Sequence, residues 1–562
     1  MKRSLSLTLF LLGLSVTCLV AAFQQAPGYM DAEYYYAGGV RLAQGYGFSE
    51  QILWNFLDAP TGLPHPSHGY WMPLASVLAW LGMLVGGINF NAGRIPFILL
   101  AASLPPLTAN LSFALGGRKD GALLAGLLAV FPAFYLPFDA TTDTFGLCMV
   151  LGLVFFRVVI GLKKGRIDDR GQRQRGGPVA ERIAILILGG LAGLMHLARA
   201  DGFLWLLIAV VAVWPDSKSA SLEEEVDSQS VSREIISGKE QSLQMERLSG
   251  LAGRALLVLA GYLLIMGPWL LRNLIVSGSL LSPGGEHALW FTRYDDLYLY
   301  PASLLTPGRW WQTGLGAILG ARLHALGQNL TSALVVQGEI FLAPLTLFGF
   351  WRLRRERSIR LGALSWGLIL IVMTLIFPFA GERGGFFHSG ATLQPLFWAT
   401  APFGLEGILE WGQSQRGWRL FQARPIFQTS VVVLAALLSL FLVRSRVIGP
   451  SLAQPTWGSG QARYAEVEQA LRGWGASPQK PLMVNDAPAY YLASGRPAIS
   501  IPQGNLNTVL TAAREYSARY LVLEIDQVEG ESNWYEQPGD RPGFHYLGTE
   551  GEARIYQIDG GG

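Results

Sequence analysis

Apolar runs of close to twenty residues recur along this chain, separated by short polar segments in which Lys and Arg collect. A helix needs roughly 20 apolar residues to cross a hydrocarbon core of about 30 Å, and basic loops stay on the cytoplasmic side. Together these rules predict eleven spans. Span one covers about 4–23, with Lys2 and Arg3 inside. Residues 24–92 then lie outside, and Arg41 is their one Lys or Arg. Among them, the apolar stretch 71–86 would put Arg118 and Lys119 on the wrong side if it crossed. It is predicted to lie at the outer interface, anchored by Tyr70, Trp71 and Trp80. Spans two (94–114), three (121–138) and four (144–162) follow, the last running into KKGRIDDRGQRQRGGPVAER, a strongly basic inner loop.

Residues 183–214 read as two short spans turning at Arg199–Asp201, and 215–250 as a disordered cytoplasmic loop poor in apolar periodicity. Span seven (252–271) leads into a long outer loop reaching about residue 327. Span eight ends at the inner WRLRRERSIR, span nine at the outer AGERGGFFHSG, and spans ten (392–410) and eleven (427–443) deliver the C-terminus outward. This parity places Asp31, Asp139, Asp143, Arg199, Asp201, Arg272, Arg383 and His388 on the outer face.

From about residue 450 the pattern changes. The helix-like YAEVEQALRGWG, the strand PLMVN, the helix DAPAYYLASGR, the strand AISIP, the helix TVLTAAREYSA and the strand RYLVLEI alternate. Such alternation predicts an open α/β layer, and no phosphate-binding glycine fingerprint occurs in it. The division expected is a membrane domain over 1–449 and an extracytoplasmic accessory α/β domain over 450–562.

Composition fits a polytopic α-helical membrane protein. Of 562 residues 51% are hydrophobic and only 15% charged, against about 25% charged in soluble domains. A net charge of +3 speaks against bulk nucleic-acid binding. Cys18 and Cys148 both fall inside apolar spans, which excludes a disulfide framework or a thiolate metal site. The first apolar run is long for a signal-peptide core, so an uncleaved first span is expected.

The candidate chemistry gathers in YMDAEYYYAGG, residues 29–39. Carboxylates at the edge of a membrane span are costly and mark function. Asp31 can take an acceptor proton or orient a nucleophile, and equally can cap the short helix that follows. Asp139 and Asp143, after span three, offer further acid on the same face, able to hold a divalent ion with Asp31 or to cap span four. Arg199, Arg272, Arg293 and Arg383 stand at outer span ends, where guanidinium could meet a lipid-linked phosphate or snorkel. His388 follows Arg383 in a Gly-rich turn suited to close ligand approach. His65 and His68 read as loop residues, and the aromatic stretch 290–301 as a sugar-stacking platform or an interfacial belt.

The ordered set MDAEYYYAGGVRLAQG, HGYWMPLASVLAWLGML, GRKDGALLAGLLAVFPAFYLPFDATTD, GLMHLARADGFL and PWLLRNLIVSGSLL resembles the GT-C membrane glycosyltransferases. Within them it is similar to dolichyl-phosphate-mannose protein mannosyltransferases and bacterial lipid-A sugar transferases, over about residues 1–450. The resemblance implies a hexosyl or pentosyl transferase of the cytoplasmic (inner) membrane. It would take a sugar from a polyprenyl-phosphate donor at the outer face, with inversion, and pass it to a lipid, glycan or protein acceptor. It further implies Asp31 as catalytic base, Asp143 as a supporting or metal-facing acid, Glu33 as a catalytic candidate, and Arg199, Arg272, Arg383 and His388 around the donor phosphate. Ala32 separates two acids that are often adjacent in that family. Two rivals share the donor: a flippase, which would show matched broken-helix repeats, and an oligosaccharide ligase.

Overall fold

The computed structural model describes residues 3–164, 178–214, 233–524 and 533–559. The N-terminal part comprises α1 (Arg3–Ala21), α2 (Met30–Ala43), α3 (Leu74–Gly86), α4 (Phe90–Ala114) and α5 (Lys119–Val130). Next come α6 (Phe145–Lys164), α7 (Pro178–Ala198), α8 (Leu204–Ala212) and α9 (Arg233–Ser277). After a run of short helical turns follow α10 (Leu315–Ser332), α11 (Ala343–Arg352), α12 (Arg357–Ile371), α13 (Phe386–Ala391), α14 (Gln394–Arg416) and α15 (Leu420–Val443).

Among the described residues seven helices are long and apolar enough to cross a membrane: α1, α4, α6, α7, α9 over Gly250–Ser277, α12 extended to Ile376, and α15 extended to Ile448. The chain is a multi-pass membrane protein. The other four expected spans are helical but short, broken or polar. α5 stops ahead of Pro132, and α8 has 9 residues. The eighth is broken between α10 and α11, where Glu339 and Ile340 take φ of 45° and 62°. α14 carries Gln394, Glu406 and Glu410, yet Leu396, Trp398, Ala399 and Ala401 are at most 1% exposed. A helix wrapped by protein needs no apolar face toward lipid. α3 has 13 residues, too few to cross.

One expectation is corrected. The disorder expected over 215–250 does not extend through that segment, because α9 already begins at Arg233. Glu, Gln, Lys and Leu are good helix formers, and no proline separates them from the apolar span, so the helix propagates backward. Residues 215–232, and 165–177 of the basic loop, lie outside the described residues.

The C-terminal region holds α16 (Ser459–Gly473), α17 (Ala487–Ser494) and α18 (Leu506–Glu515) around a sheet. Strands β1 (Ser49–Glu50) and β3 (His65–Pro66) pair in the α2–α3 loop. The main sheet runs β2 (Ile52–Leu53), β5 (Ala498–Ser500), β4 (Leu482–Val484), β6 (Tyr520–Leu523), β8 (Ala553–Ile558), β7 (Phe544–Glu550). Its first four strands are parallel and its last two antiparallel additions. The helices α17 and α18 make the crossovers that parallel pairing requires. Strand β2 comes from the loop between α2 and α3, so the sheet is stitched to the membrane helices through its edge.

Two close approaches fix α2. Gly38 and Gly39 face α3, where added Cβ atoms would meet Ser76 Oγ at 2.6 Å and Ala79 Cβ at 2.8 Å; only glycine allows the helices to touch there. Ahead of α2, Gly28 has φ +94° and lies against the Trp457 indole, whose Nε1 donates to Ala26 O at 3.0 Å.

Candidate functional site

Asp31 is not a helix cap. The N-cap of α2 is Tyr29, in extended conformation and without a side-chain cap, so Asp31 stands within the first turn, where the helix dipole favours an anion. Two threonines bring the second acid to it. Thr141 Oγ1 donates to Pro27 O at 2.9 Å and Thr142 Oγ1 to Ala32 O at 2.7 Å, clamping the loop before α6 onto the start of α2. Asp143 is thereby delivered next to Asp31. Its Oδ1 accepts from Thr144 N at 2.5 Å and Thr144 Oγ1 at 3.1 Å, and its Oδ2 accepts from the Tyr29 hydroxyl.

His388, on the short α13, completes the group. Its ring stacks on Phe145 with centroids 4.0 Å apart and planes at 22°. Nε2 lies 3.7 Å from Asp31 Oδ2, and Nδ1 lies 3.9 Å from Asp143 Oδ1. One ligand-capable atom from each of the three residues falls within 4.8 Å of the others. His388 Nδ1 is buried and has no hydrogen-bond partner. Two carboxylates and an imidazole, close together and incompletely satisfied, form a mixed O/N donor set suited to a divalent ion.

The electrostatics agree. Burial pushes the Asp31 carboxyl up to about 8, with the Asp143 charge adding to the rise and Arg199 pulling against it. Burial also lowers His388 to about 4, although Asp143 opposes it; near neutral pH the imidazole carries no charge and keeps a lone pair. The Asp31 side chain remains 29% accessible, whereas that of Asp143 is 1% accessible. Asp31 is thus the member of the pair that an incoming molecule can reach.

The arginines separate into three situations. Arg199 is held by Asp201, Nε to Oδ1 at 2.9 Å, and its charge reaches Asp31, Tyr35 and His388. Arg383 lies with its guanidinium carbon 4.8 Å from the Tyr294 ring centroid. Tyr294 feels both Asp31 and Arg383, so the 290–301 stretch borders the site. Arg272 turns elsewhere: its Nη2 donates to Ser67 O at 2.8 Å and Phe48 O at 3.4 Å, over Trp269. The structure therefore brings together Asp31, Asp143, His388 and Arg199, borders them with Arg383, and ties Arg272 to the α2–α3 loop.

Glu33 also leaves the group. Residues two apart on a helix do not share a face, and Glu33, 3% exposed, is directed toward Asp486 at the start of α17. Burial and then the Asp486 charge raise its carboxyl well above the usual range. Asp139 is buried with Oδ1 unpartnered and is not one of the three clustered ligands. His65 bonds Ile52 O at 2.8 Å beside Glu50, and His68 sits between the Ser67 and Ser76 hydroxyls; both serve the loop. Tyr29, Thr141, Thr142 and Phe145 were not singled out from the sequence. Only their adjacency to Asp31 and Asp143 could have drawn attention to them.

No family model matches the chain, and no curated protein matches it in sequence. Solved structures do. The oligosaccharyltransferase of Archaeoglobus fulgidus in the apo form aligns at TM-score 0.51 and 12% identity, over 93% of this chain and 70% of that one. The same enzyme tethered with an acceptor peptide containing the NVT sequon gives 0.52 at 12% identity and the same coverage. Its complex with Zn and sulfate gives 0.50 at 12% identity, over 98% of this chain and 72% of that one. The fold is shared, and the expected class, a polytopic helical membrane protein with a small C-terminal α/β region, is borne out.

Proposed function

We propose that this chain is a membrane glycosyltransferase, moving a sugar from a polyprenyl-phosphate donor to an acceptor at the outer face of the cytoplasmic membrane. The observation that carries the reading is an accessible Asp31 backed by buried Asp143 and half-buried His388. The positive-inside pattern of the loops supports the outer face and the inner-membrane location. Residues 450–562 act as an extracytoplasmic accessory domain over the site, a role supported by the Trp457 contact on the chain entering α2 and by β2 pairing with β5.

In the reaction the acceptor hydroxyl or amine attacks the anomeric carbon from the side opposite the phosphate. The bond between that carbon and the phosphate oxygen breaks, its electron pair leaves with the phosphate, and configuration inverts. Asp31 takes the acceptor proton. A base whose pKa lies near the working pH is the efficient one, and the raised Asp31 carboxyl meets that condition. Arg383 and Arg199 stabilise the charge building on the leaving phosphate, where fixed donors act selectively on the transition state. Tyr29 and Thr144 hold Asp143 in place.

A divalent cation would be held by Asp31, Asp143 and His388, and would supply positive charge where the donor phosphate develops its negative charge. Because the neighbour in fold is an oligosaccharyltransferase, the group moved is either one sugar or an oligosaccharide, which the product mass decides. Membranes carrying Asp31→Asn and supplied with lipid-linked sugar should lose transfer while the protein accumulates normally. Turnover close to that of the parent would overturn the assignment.

A further inference from the structure

A cavity of about 470 Å³ opens on the other side of α2 from Asp31, lined by Tyr29, Met30 and Glu33 and by residues of the C-terminal region. Its position follows from topology. The chain passes from β4 through α17 to β5 on one side, then through α18 to β6 on the other side of β4. That reversal makes the carboxyl ends of β4 and β6 a switch point, where open α/β sheets bind ligands. Asp486 follows β4 there, and Glu524 follows β6.

The charge of this crevice is lopsided. Among the described residues Glu33, Asp486, Glu524 and Glu552 line it against a single basic residue, Arg463, and Arg463 pairs with Glu552 at 3.2 Å. Tyr464 donates to Glu524 Oε2 at 2.8 Å, and Ala489 N donates to Asp486 Oδ1 at 3.1 Å. Neither contact supplies a positive charge. Glu33 is 3% exposed; its carboxyl shares a side-chain hydrogen bond with Asp486, while its Oε2 accepts from no donor. A buried carboxylate oxygen left unpaired is costly, and a cation entering the crevice would satisfy it.

We propose that this crevice binds an ammonium-bearing group of the acceptor, placed by Glu33, Asp486 and Glu524 while the reactive atom reaches Asp31. The proposal rests on the transferase reading and adds to it the chemical class of the acceptor. The acids repel a phosphate, so the donor is excluded from this side of α2 and is left the side bordered by Arg383. A single helical turn thereby separates the two substrates, with Asp31 facing one and Glu33 the other. Asp31 feels the charge of Asp486, as it would if the two compartments lie close together.

The test is calorimetric titration of the purified full chain in detergent with glucosamine, with uncharged N-acetylglucosamine as control. Glucosamine should bind saturably and its N-acetyl derivative should not. Asp486→Asn keeps the acceptor atom for Ala489 N, and Glu524→Gln keeps that for Tyr464. Each should weaken glucosamine binding by about tenfold, the size of one charge-assisted hydrogen bond. Equal binding of the two probes, no saturable glucosamine binding, or undiminished binding by both variants would overturn the proposal. Asp31→Asn should still bind glucosamine. If that variant also keeps its turnover, the transferase reading falls, whereas the titration still decides what the crevice binds.

Discussion

Two acid clusters in this chain use the same residue types and end in opposite states. In the C-terminal region Glu468 is fully matched: it accepts from Arg496 Nε at 2.8 Å and Nη2 at 3.0 Å, from Arg472 Nε at 2.7 Å and from the Tyr490 hydroxyl at 2.9 Å. Burial works to raise its carboxyl, yet the arginine hydrogen bonds win and hold it below the usual range. At the head of α2, Asp31 has one ring nitrogen of His388 and an acid nearby, but burial and Asp143 drive its carboxyl upward. A carboxylate whose partners are complete is architecture. One whose partners are missing is waiting for something, and such frustrated groups gather where function is.

The comparison breaks most visibly if either cluster behaves like the other. Asp31→Asn should cut transfer by about 10²- to 10⁴-fold, the worth of a general base, with no loss of thermal stability. A fall in unfolding temperature without a rate defect would make the site structural. Arg496→Met should do the reverse. It takes from Glu468, 4% exposed, its buried partner and leaves it the exposed Arg472 and the Tyr490 hydroxyl, so the loss should be about 3 kcal/mol, the low end for breaking a buried pair. Glu468→Gln together with Arg496→Met should recover much of that loss. The sign with pH follows from the depressed folded-state carboxyl. The pair's contribution is present above the unfolded value of about 4.3 and disappears as pH falls through the lower folded value. Thermal unfolding of the detergent-solubilised chain between pH 7 and pH 3 reads this out, and the double variant should show a flatter profile.

What the sequence made legible was whatever depends on local periodicity and on charge. The apolar runs and the alternation after residue 450 reappear as helices and strands. Strand β2 was not legible, because two residues carry no period; Ile52 and Leu53 become a strand only because β5 offers them an edge. The meeting of Asp31 with Asp143 was foreseen from the resemblance, but its cause lies in hydroxyl bonds from Thr141 and Thr142 that no local pattern announces. Arg272 and Arg383 look alike in the sequence, as arginines at the ends of apolar runs. They part because carbonyls of the α2–α3 loop capture the first, while a Gly-rich turn with Gly384 at φ +118° leaves the second beside Tyr294. The direction of Glu33 is readable from helical geometry, which sends residues 31 and 33 to different faces, but its meeting with Asp486 is a long-range contact that no local pattern announces.

Smaller effects sharpen the contrast. Arg383→Ala should raise the KM for the lipid-linked donor by roughly 10- to 100-fold, the range of a charged hydrogen bond. Acceptor KM should hardly change, and an effect confined to the acceptor would remove Arg383 from the phosphate. Tyr29→Phe is the finest probe. Its hydroxyl donates to Asp143 Oδ2, and its ring stands edge-on to Trp457 at 5.7 Å, so phenylalanine keeps the packing and deletes one donor. Asp143 would keep the Thr144 contacts, and the fold should survive. If Tyr29 acts by holding Asp143 in register, kcat should fall by about threefold to tenfold, near 1 kcal/mol, while both KM values stay within twofold. Any stimulation by added Mn²⁺ should need a higher concentration, since partners behind a ligand tune its affinity. A purely structural Tyr29 would lower the unfolding temperature and leave the Mn²⁺ response where it was.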